Sequence, residues 1–443
     1  MTVDPQNSRA LAVPTGRLSR MGRMSALAAG VAGRMALNGV QQWRRGDRPT
    51  TRELFMTPTN MHQITKELAR MRGAAMKIGQ LVSMDTGDVL PPELAQIMVR
   101  LRADADFMPP RQLRDVLDAE WGAGWRQRFA QFDVRPIAAA SIGQVHKARL
   151  PDGTDLAIKV QYLGIARSIE SDVANIGRLI RLSGLLPDGF ELDPYLDEAK
   201  QQLRQEADYQ AEAAYLQTFG QLLEGDERFT LPALHAPLTT QKVLAMTFVP
   251  SENIETLADK SQEVRDSVMH ALCDLMLSEV FHFGLMQTDP NFANYRFDAA
   301  TGRVVLLDFG ATRALPQPLV EQMGALLRAG LDGAYEDVAR IVTEIGLLPK
   351  TVPEAFRVRI LKMMTLVFDE LRAQPVLDLG TSHLFQKLQK EGERLAADGF
   401  VPPPIPMDLL FVQRKVAGMF LLAARLRAKI PATALINAAL RPR

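Results

Sequence analysis

Apolar residues at Met61, Ile64, Leu68, Met71, Ala75 and Ile78 recur at helical spacing, which predicts a helix with Thr59-Asn60 as its opening caps. Gly79 falls inside that run, where glycine costs about 1 kcal/mol relative to alanine, so a neighbour is expected to approach closely there, beside Lys77. Leu90-Pro91-Pro92 ends the segment and Glu93–Leu101 reads as another helix. Pro109-Pro110 marks a boundary before a further helix over Arg111–Glu120. The pattern then changes. Phe132–Ile137, Gln144–Leu150 and Asp155–Gln161 read as strands, the last two joined by the hairpin turn Pro151-Asp152-Gly153-Thr154. From Pro194 to about Leu223 the spacing is helical again, with Leu196, Ala199, Leu203, Ala213, Leu216 and Phe219 as apolar positions.

Leu231–Pro237 and Lys242–Val249 predict two more strands, closed by Pro250, with a linker over Pro250–Glu255. Arg265–Phe283 predicts a helix with Val268, Leu272, Leu275, Met276 and Val280 inward. It leads into Gly284–Gly310, where a loop carrying Asp289 and Asn294 precedes a short strand, a Thr-Gly turn, the apolar strand Val304–Leu307 and Asp308-Phe309-Gly310. Beyond Pro316 helical patterns run to the end, including Leu319–Leu331, Phe356–Leu371 and Asp408–Leu426. The succession is that of an α+β protein.

Composition narrows the classes. Over 443 residues, 47% hydrophobic and 23% charged is ordinary globular material, enough for two or three domains or one elaborated unit. A net charge of +1 implies no global polyanion partner, so no nucleic acid is expected. The single cysteine, Cys273, excludes an internal disulfide framework or a Cys-based zinc site, points to a reducing compartment and reads as a small core residue. The six histidines form no HExxH pattern. The apolar run Val416–Ala424, flanked by Arg414, Lys415 and Arg425, is far shorter than the roughly 20 residues of a membrane span and reads as a buried helix. No secretory signal is expected, because the N-terminus lacks a continuous apolar core. Residues 1–48 carry Arg9, Arg17, Arg20, Arg23, Arg34, Arg44, Arg45 and Arg48 against Asp4 and Asp47, around a small apolar stretch. Such a segment suits an anionic membrane surface; a disordered tail, a transit peptide or a helix docked on the protein has similar composition.

The chemistry concentrates at a few places. Asp289, Asn294 and Asp308, gathered by a hairpin, make a hard oxygen site suited to Mg²⁺. In kinase-type phosphoryl transfer the first Asp faces the acceptor, while the Asn and the DFG Asp hold metal on the nucleotide phosphates. Ala157-Ile158-Lys159-Val160 compares with the strand whose Lys pairs with phosphates and with a helix Glu. Ala138, Ala139, Ala140 and Ser141 stand before the hairpin, where small residues let backbone approach phosphates. Alanine avoids positive φ, so this loop is stiffer than a glycine-rich one, and altered nucleotide geometry or selectivity is expected. Glu206, Asp208 and Glu212 crowd one region of the long helix, and the i,i+4 pair Asp208/Glu212 repels by about a few tenths of a kcal/mol unless a cation intervenes. Lys77 and Lys159 are the cations on offer. The plain alternatives are a solvated acidic helix face and a surface hairpin with acidic ends. After Gly310 there is no room for an activation segment or an APE motif, which argues against a protein substrate docked there.

Together these motifs resemble the UbiB family of atypical kinases, also called AarF or ABC1. The resemblance runs from about Arg72 to Arg313 and is carried by KIGQ at Lys77–Gln80, AAAS at Ala138–Ser141, AIKVQY at Ala157–Tyr162, EADYQAEA at Glu206–Ala213, TDPNFAN at Thr288–Asn294 and DFG at Asp308–Gly310. It implies a protein-kinase-like two-lobed fold, an N-terminal helical extension folded over the place where a protein substrate would dock, and a helical C-terminal part. It implies that Lys77 reaches into the active site and interacts with Glu206 and Asp208, that Lys159 pairs with Glu212 and the phosphates of ATP, that Asp289 is the catalytic-loop acid, and that Asn294 and Asp308 hold Mg²⁺. The family's loop usually reads close to HADPHPGN. Here Gln287 and Asn291 replace its histidines, Phe292-Ala293 replace Pro-Gly, and Leu163 stands where proline is usual. A divergent branch is implied, with acid and metal amide retained.

The expected domains are a basic N-terminal segment (1–50), a helical extension carrying KIGQ (51–130), a kinase-like N-lobe (131–250) and a helical C-lobe (251–443). The leading functional reading is an ATP- and Mg²⁺-binding atypical kinase or ATPase supporting isoprenoid-quinone or other membrane-lipid metabolism. A lipid or quinone precursor, an anionic membrane surface and lipid-biosynthetic enzymes are its candidate partners. Cytoplasmic location, peripheral on the inner membrane face, is the expectation. A second reading is a nucleotide-gated, chaperone-like binding protein with negligible transfer, favoured by the divergent loop. A small-molecule antibiotic-type phosphotransferase is a third; it has no need of the KIGQ helix or the Glu206–Glu212 cluster.

Overall fold

The computed structural model describes residues 17–44, 48, 50–55, 57, 59–60, 63–64, 73–75, 77–78, 107–183, 190–381, 383–403 and 405–441. The expectations for Met61, Leu68, Met71, Gly79 and Glu93–Leu101 lie outside them. The chain forms two compact units, one of Met1–Ala213 with Ala233–Phe248, the other of Ala214–Pro232 with Val249–Arg443.

In the first unit the strand Asp155–Gln161 is the middle of a five-stranded antiparallel sheet. Gly143–Arg149 pairs on one side and Val243–Thr247 on the other; Gln131–Phe132 and Ala138–Ala139 both add to Gly143–Arg149. The hairpin register runs from Gly143 opposite Gln161 to Arg149 opposite Asp155. Its turn needs Gly153 at φ +91°, and the Asp152 carboxylate accepts the Thr154 N–H at 2.9 Å. Leu156, Ile158 and Val160 point one way and are fully buried, so Lys159 is presented on the opposite face. Pro110–Trp121 is a helix with Pro at its start and Leu113, Val116, Leu117 and Trp121 buried. Trp121, Trp125, Phe129 and Phe132 form one ring cluster with centroids 4.9–6.1 Å apart. The helix Arg17–Arg44 packs against Ile165–Ser183 and leaves Leu37, Val40 and Trp43 exposed.

Four expectations change here. Phe132–Ile137 is not one strand: only Gln131–Phe132 and, after Ile137, Ala138–Ala139 pair in the sheet. The long helix from Pro194 is two helices, Asp193–Glu206 and Tyr209–Leu222. Asp208 breaks it: its carboxylate accepts the N–H groups of Gln210 (3.2 Å) and Ala211 (3.1 Å) and so caps the second helix, while Gln161 Nε2 donates to the freed Ala207 carbonyl at 2.7 Å. Leu231–Pro237 is not a strand. It contributes a single bridge from Leu234 to Met246 and the 3₁₀ turn Ala236–Leu238. Thr59-Asn60 are not the caps either; both are helical, and the Asn60 N–H reaches Thr57 Oγ1 at 3.4 Å. Asn60 instead serves the preceding helix, donating to the Leu54 and Phe55 carbonyls at 3.2 Å each.

The second unit opens its main helix, Gln262–Ser278, on Ser261, whose hydroxyl accepts the Val264 N–H at 3.4 Å. The helix ends in the π turn Glu279–Phe283 and Gly284 at φ +63°. Cys273 sits half-buried on this helix, where burial and the adjacent Asp274 push its thiol up, to about 12, disfavouring the reactive thiolate. The hairpin Tyr295–Asp298/Arg303–Leu306 forms a four-stranded sheet with Phe229–Thr230 and Glu252–Asn253. A second ribbon pairs Leu285–Gln287 with Thr312–Ala314, so the chain just before Asp289 lies beside the chain just after Gly310. Six helices follow among the described residues, from Gln317–Asp332 to Ala432–Ala439, around Val338, Ile341, Val342, Leu348, Phe368 and Leu409.

Candidate active site

In the first unit Lys159 donates to both oxygens of Glu212, at 2.7 and 2.8 Å. The strand pins Lys159 between Val145 and Leu244, and Glu212 stands in the first turn of Tyr209–Leu222, where the helix dipole favours a carboxylate. The ammonium also lies 5.1 Å from the Tyr209 ring centroid. Both side chains are nearly buried, so this is an ion pair shielded from bulk water.

Lys77 is buried and ion-pairs with Glu206; the Ser141 hydroxyl donates to the other Glu206 oxygen. One carboxylate therefore joins the extension, the alanine loop and the helix Asp193–Glu206. The loop is a tight reversal: Ala138 pairs with Val145, Ala139 with Gln144, and the Ala140 N–H donates to Gly143 O at 2.8 Å. Two glycines outside the expected site allow this closure. A Cβ on Gly73 would fall 2.9 Å from the Ser141 carbonyl, and one on Gly143 would fall 2.5 Å from the Val160 carbonyl and 2.7 Å from the Tyr209 hydroxyl. Asp208 is exposed and engaged in its cap, apart from the Lys77–Glu206 pair.

In the second unit Asp289 follows the strand Leu285–Gln287, and Thr288 anchors the loop by donating its N–H (2.9 Å) and hydroxyl (2.7 Å) to the Ala311 carbonyl. Asn294 Nδ2 donates to the Asp289 carbonyl at 3.1 Å. Its amide oxygen is thereby the end left for a cation. Asp308 Oδ1 accepts the Gly310 N–H at 2.9 Å, which fixes the carboxylate at the end of Arg303–Leu306. One anionic and one neutral oxygen donor suit Mg²⁺, which takes one or two protein ligands and completes its shell with phosphates and water. Phe309 is buried against Phe219, with centroids 4.9 Å apart.

Over residues 100–342 the sequence matches the ABC1 atypical kinase-like domain. The chain belongs to the ABC1 atypical kinase-like family. It is 36% identical over 429 residues to the mitochondrial atypical kinase COQ8 of Saccharomyces cerevisiae, covering 94% of this chain and 83% of that one. It is 36% identical over 430 residues to the mitochondrial atypical kinase COQ8B of Rattus norvegicus, covering 96% and 80%. Among solved structures, Rv3197 of Mycobacterium tuberculosis in complex with erythromycin superposes with a TM-score of 0.58 at 25% identity, over 85% of this chain and 94% of that chain. The fold is protein-kinase-like, with helices and sheets mixed as expected. Among the described residues no helix is long and apolar enough to cross a membrane.

This ABC1 protein also carries site residues that sequence reasoning passed over. Arg414 Nη2 pairs with Asp289 Oδ1 at 3.1 Å. Lys415, read as a flank of an apolar run, is fully buried: its ammonium donates to the Gln287 carbonyl at 2.8 Å and pairs with buried Glu279 at 3.0 Å. Burial opposes charge on Lys415, but the facing carboxylate outweighs it and its pKa is raised; Glu279 is pushed up by burial, with Lys415 pulling against it. A signal existed for Glu279, an acid at the next apolar step after Leu272, Leu275 and Met276.

Proposed function

We propose that this protein is a Mg²⁺-dependent, ATP-using atypical kinase or ATPase that supports isoprenoid-quinone (ubiquinone) or other membrane-lipid metabolism. The observation that carries the transfer reading is the buried bidentate pair Lys159–Glu212, since a strand Lys held by a helix Glu is the arrangement that active kinases require. Lys159 engages the nucleotide phosphates, and the alanine loop bounds them with stiff backbone. Asn294 and Asp308 would hold Mg²⁺, which would supply neutralisation of the phosphate charge. Asp289 orients an acceptor hydroxyl or water and takes its proton. Most of the acceleration in such transfer comes from positioning and fixed charge. The Lys77–Glu206–Ser141 contact ties the extension to the alanine loop and favours a small acceptor or water over a protein. The quinone assignment is supported by the 36% identity to the COQ8 proteins. The exposed Leu37, Val40 and Trp43, with exposed Arg44 beside them, support contact with an anionic membrane on the inner face.

The test is ADP release from purified protein with Mg²⁺-ATP, with and without anionic liposomes. Wild type is expected to turn over, Asp289→Asn to lose at least tenfold, and Asp308→Asn to abolish the Mg²⁺-dependent binding or turnover of ATP. Unchanged activity in Asp308→Asn sinks the reading. Tight ATP binding with equal, near-zero rates in wild type and Asp289→Asn supports the nucleotide-gated binding protein instead, a reading favoured by Gln287, Asn291 and Phe292-Ala293 in the loop.

A further inference from the structure

The loop from Asp289 to Asn294 contains no basic residue: Pro290, Asn291, Phe292 and Ala293 separate the acid from the amide. The next basic residue along the chain, Arg296, is committed elsewhere, with its guanidinium on Ser251 and on Asn253 Oδ1 at 2.7 Å. The cation beside Asp289 comes instead from 125 positions later, on the helix Met407–Arg425. The Arg414 and Asp289 side chains are only 11% and 19% exposed, so their attraction is weakly screened. The same helix holds the loop at two further points. Lys415 takes the Gln287 carbonyl at 2.8 Å, and Gly418 lies so close to Pro290 that a Cβ would fall 2.4 Å from the Pro290 Cβ. Residues 287, 289 and 290 are thus each fixed by one helix face, at positions 415, 414 and 418.

We propose that Arg414 is a positioning residue for Asp289, supplying from the C-terminal helix the permanent positive charge that the catalytic loop lacks. This rests on the phosphoryl-transfer reading above. Arginine does not lose its proton, so the pairing persists across the working pH range. By engaging Oδ1 it fixes the carboxylate's rotation and leaves Oδ2 for the acceptor's proton. The buried Lys415–Glu279 pair keeps the helix in register with the loop, so that Arg414 reaches the acid without rearrangement.

The experiment measures ADP release and ATP affinity for wild type, Arg414→Lys, Arg414→Gln, Asp289→Asn and the double variant Asp289→Asn/Arg414→Gln. Arg414→Gln is expected to lower kcat at least tenfold while KM for ATP stays within twofold. Arg414→Lys is expected to lose only three- to fivefold, because the contact is a single N–O pair that an ammonium can partly remake. In the Asp289→Asn background, Arg414→Gln is expected to change the residual rate by less than twofold. Wild-type turnover left within twofold by Arg414→Gln, or an equal loss with and without Asp289, overturns the role while leaving the transfer reading intact. Wild-type protein no faster than Asp289→Asn overturns both. If Arg414→Gln does not fold, Arg414→Lys decides: unchanged kcat, or a loss that appears in ATP affinity, overturns the proposal.

Discussion

Lys415 shows how much one side chain can hold. It is a fully buried cation with a carboxylate at 3.0 Å and a backbone carbonyl at 2.8 Å, packed 5.6 Å from the Tyr295 ring centroid. Removing one member of such a pair leaves the other charge buried and unpaired, at a cost of about 3–5 kcal/mol, whereas removing both costs far less. Lys415→Met should therefore lower the denaturant midpoint strongly, and Lys415→Met/Glu279→Leu should recover most of it. Equal losses in the single and double variants would show that the pair contributes by packing alone. From the sequence, Lys415 and Arg414 read as charges flanking an apolar run, because a helix's burial depends on what it packs against. Asp289, Asn294 and Asp308 were legible because their chemistry lies within one short stretch.

At the scale of elements, the break between Asp193–Glu206 and Tyr209–Leu222 decides where the acids go. It places Glu206 at one helix's end, toward Lys77 and Ser141, and Glu212 in the next helix's first turn, toward Lys159. A continuous helix would have made Asp208 and Glu212 a repelling pair; the break turns Asp208 into a cap. Asp208→Ala is expected to cost about 1 kcal/mol of stability, and Asp208→Asn far less, since the amide oxygen still accepts. Chemical denaturation of the three proteins checks this, and a null effect of Asp208→Ala would remove the cap from the account. Helical periodicity continues across residue 207, so spacing alone could not show the break. The carbonyl freed there is satisfied by Gln161, from a strand far away in sequence. The hairpin at Gly153, by contrast, was readable, because Asp-Gly supplies both the side-chain acceptor and the positive φ locally.

At the scale of the whole molecule, a buried network in the first unit is expected to make stability fall in acid. His146 is fully buried, with Nδ1 facing the Asp133 carbonyl at 2.8 Å and Nε2 facing Gln144 Nε2 at 2.9 Å, while Gln144 Oε1 accepts the Met108 N–H at 2.8 Å. The carbonyl takes a proton from Nδ1 and the amide donates to Nε2, so the neutral ring satisfies both and a proton on Nε2 would set donor against donor. Burial lowers the His146 pKa from its ordinary 6.5 to about 4. The unfolded chain then binds the proton more readily, so this contribution is whole above about pH 6.5 and is lost as pH falls toward 4, at up to about 1.4 kcal/mol per pH unit. Unfolding measured from pH 7.5 to 4 should show the slope, and His146→Gln should flatten it; an unchanged slope would assign the acid sensitivity to carboxylates.

The sequence by itself determined the hairpin with the lysine strand, the loop with its acid and amide, and the family, because each is encoded by neighbours a few residues apart. Only the tertiary structure decided that Glu206 takes both Lys77 and Ser141, that Asp208 caps a helix, and that the helix Met407–Arg425 holds Asp289 from 125 positions away. A buried polar group must find a partner wherever packing places one. Local spacing sets which face a side chain occupies, and the fold sets what that face meets.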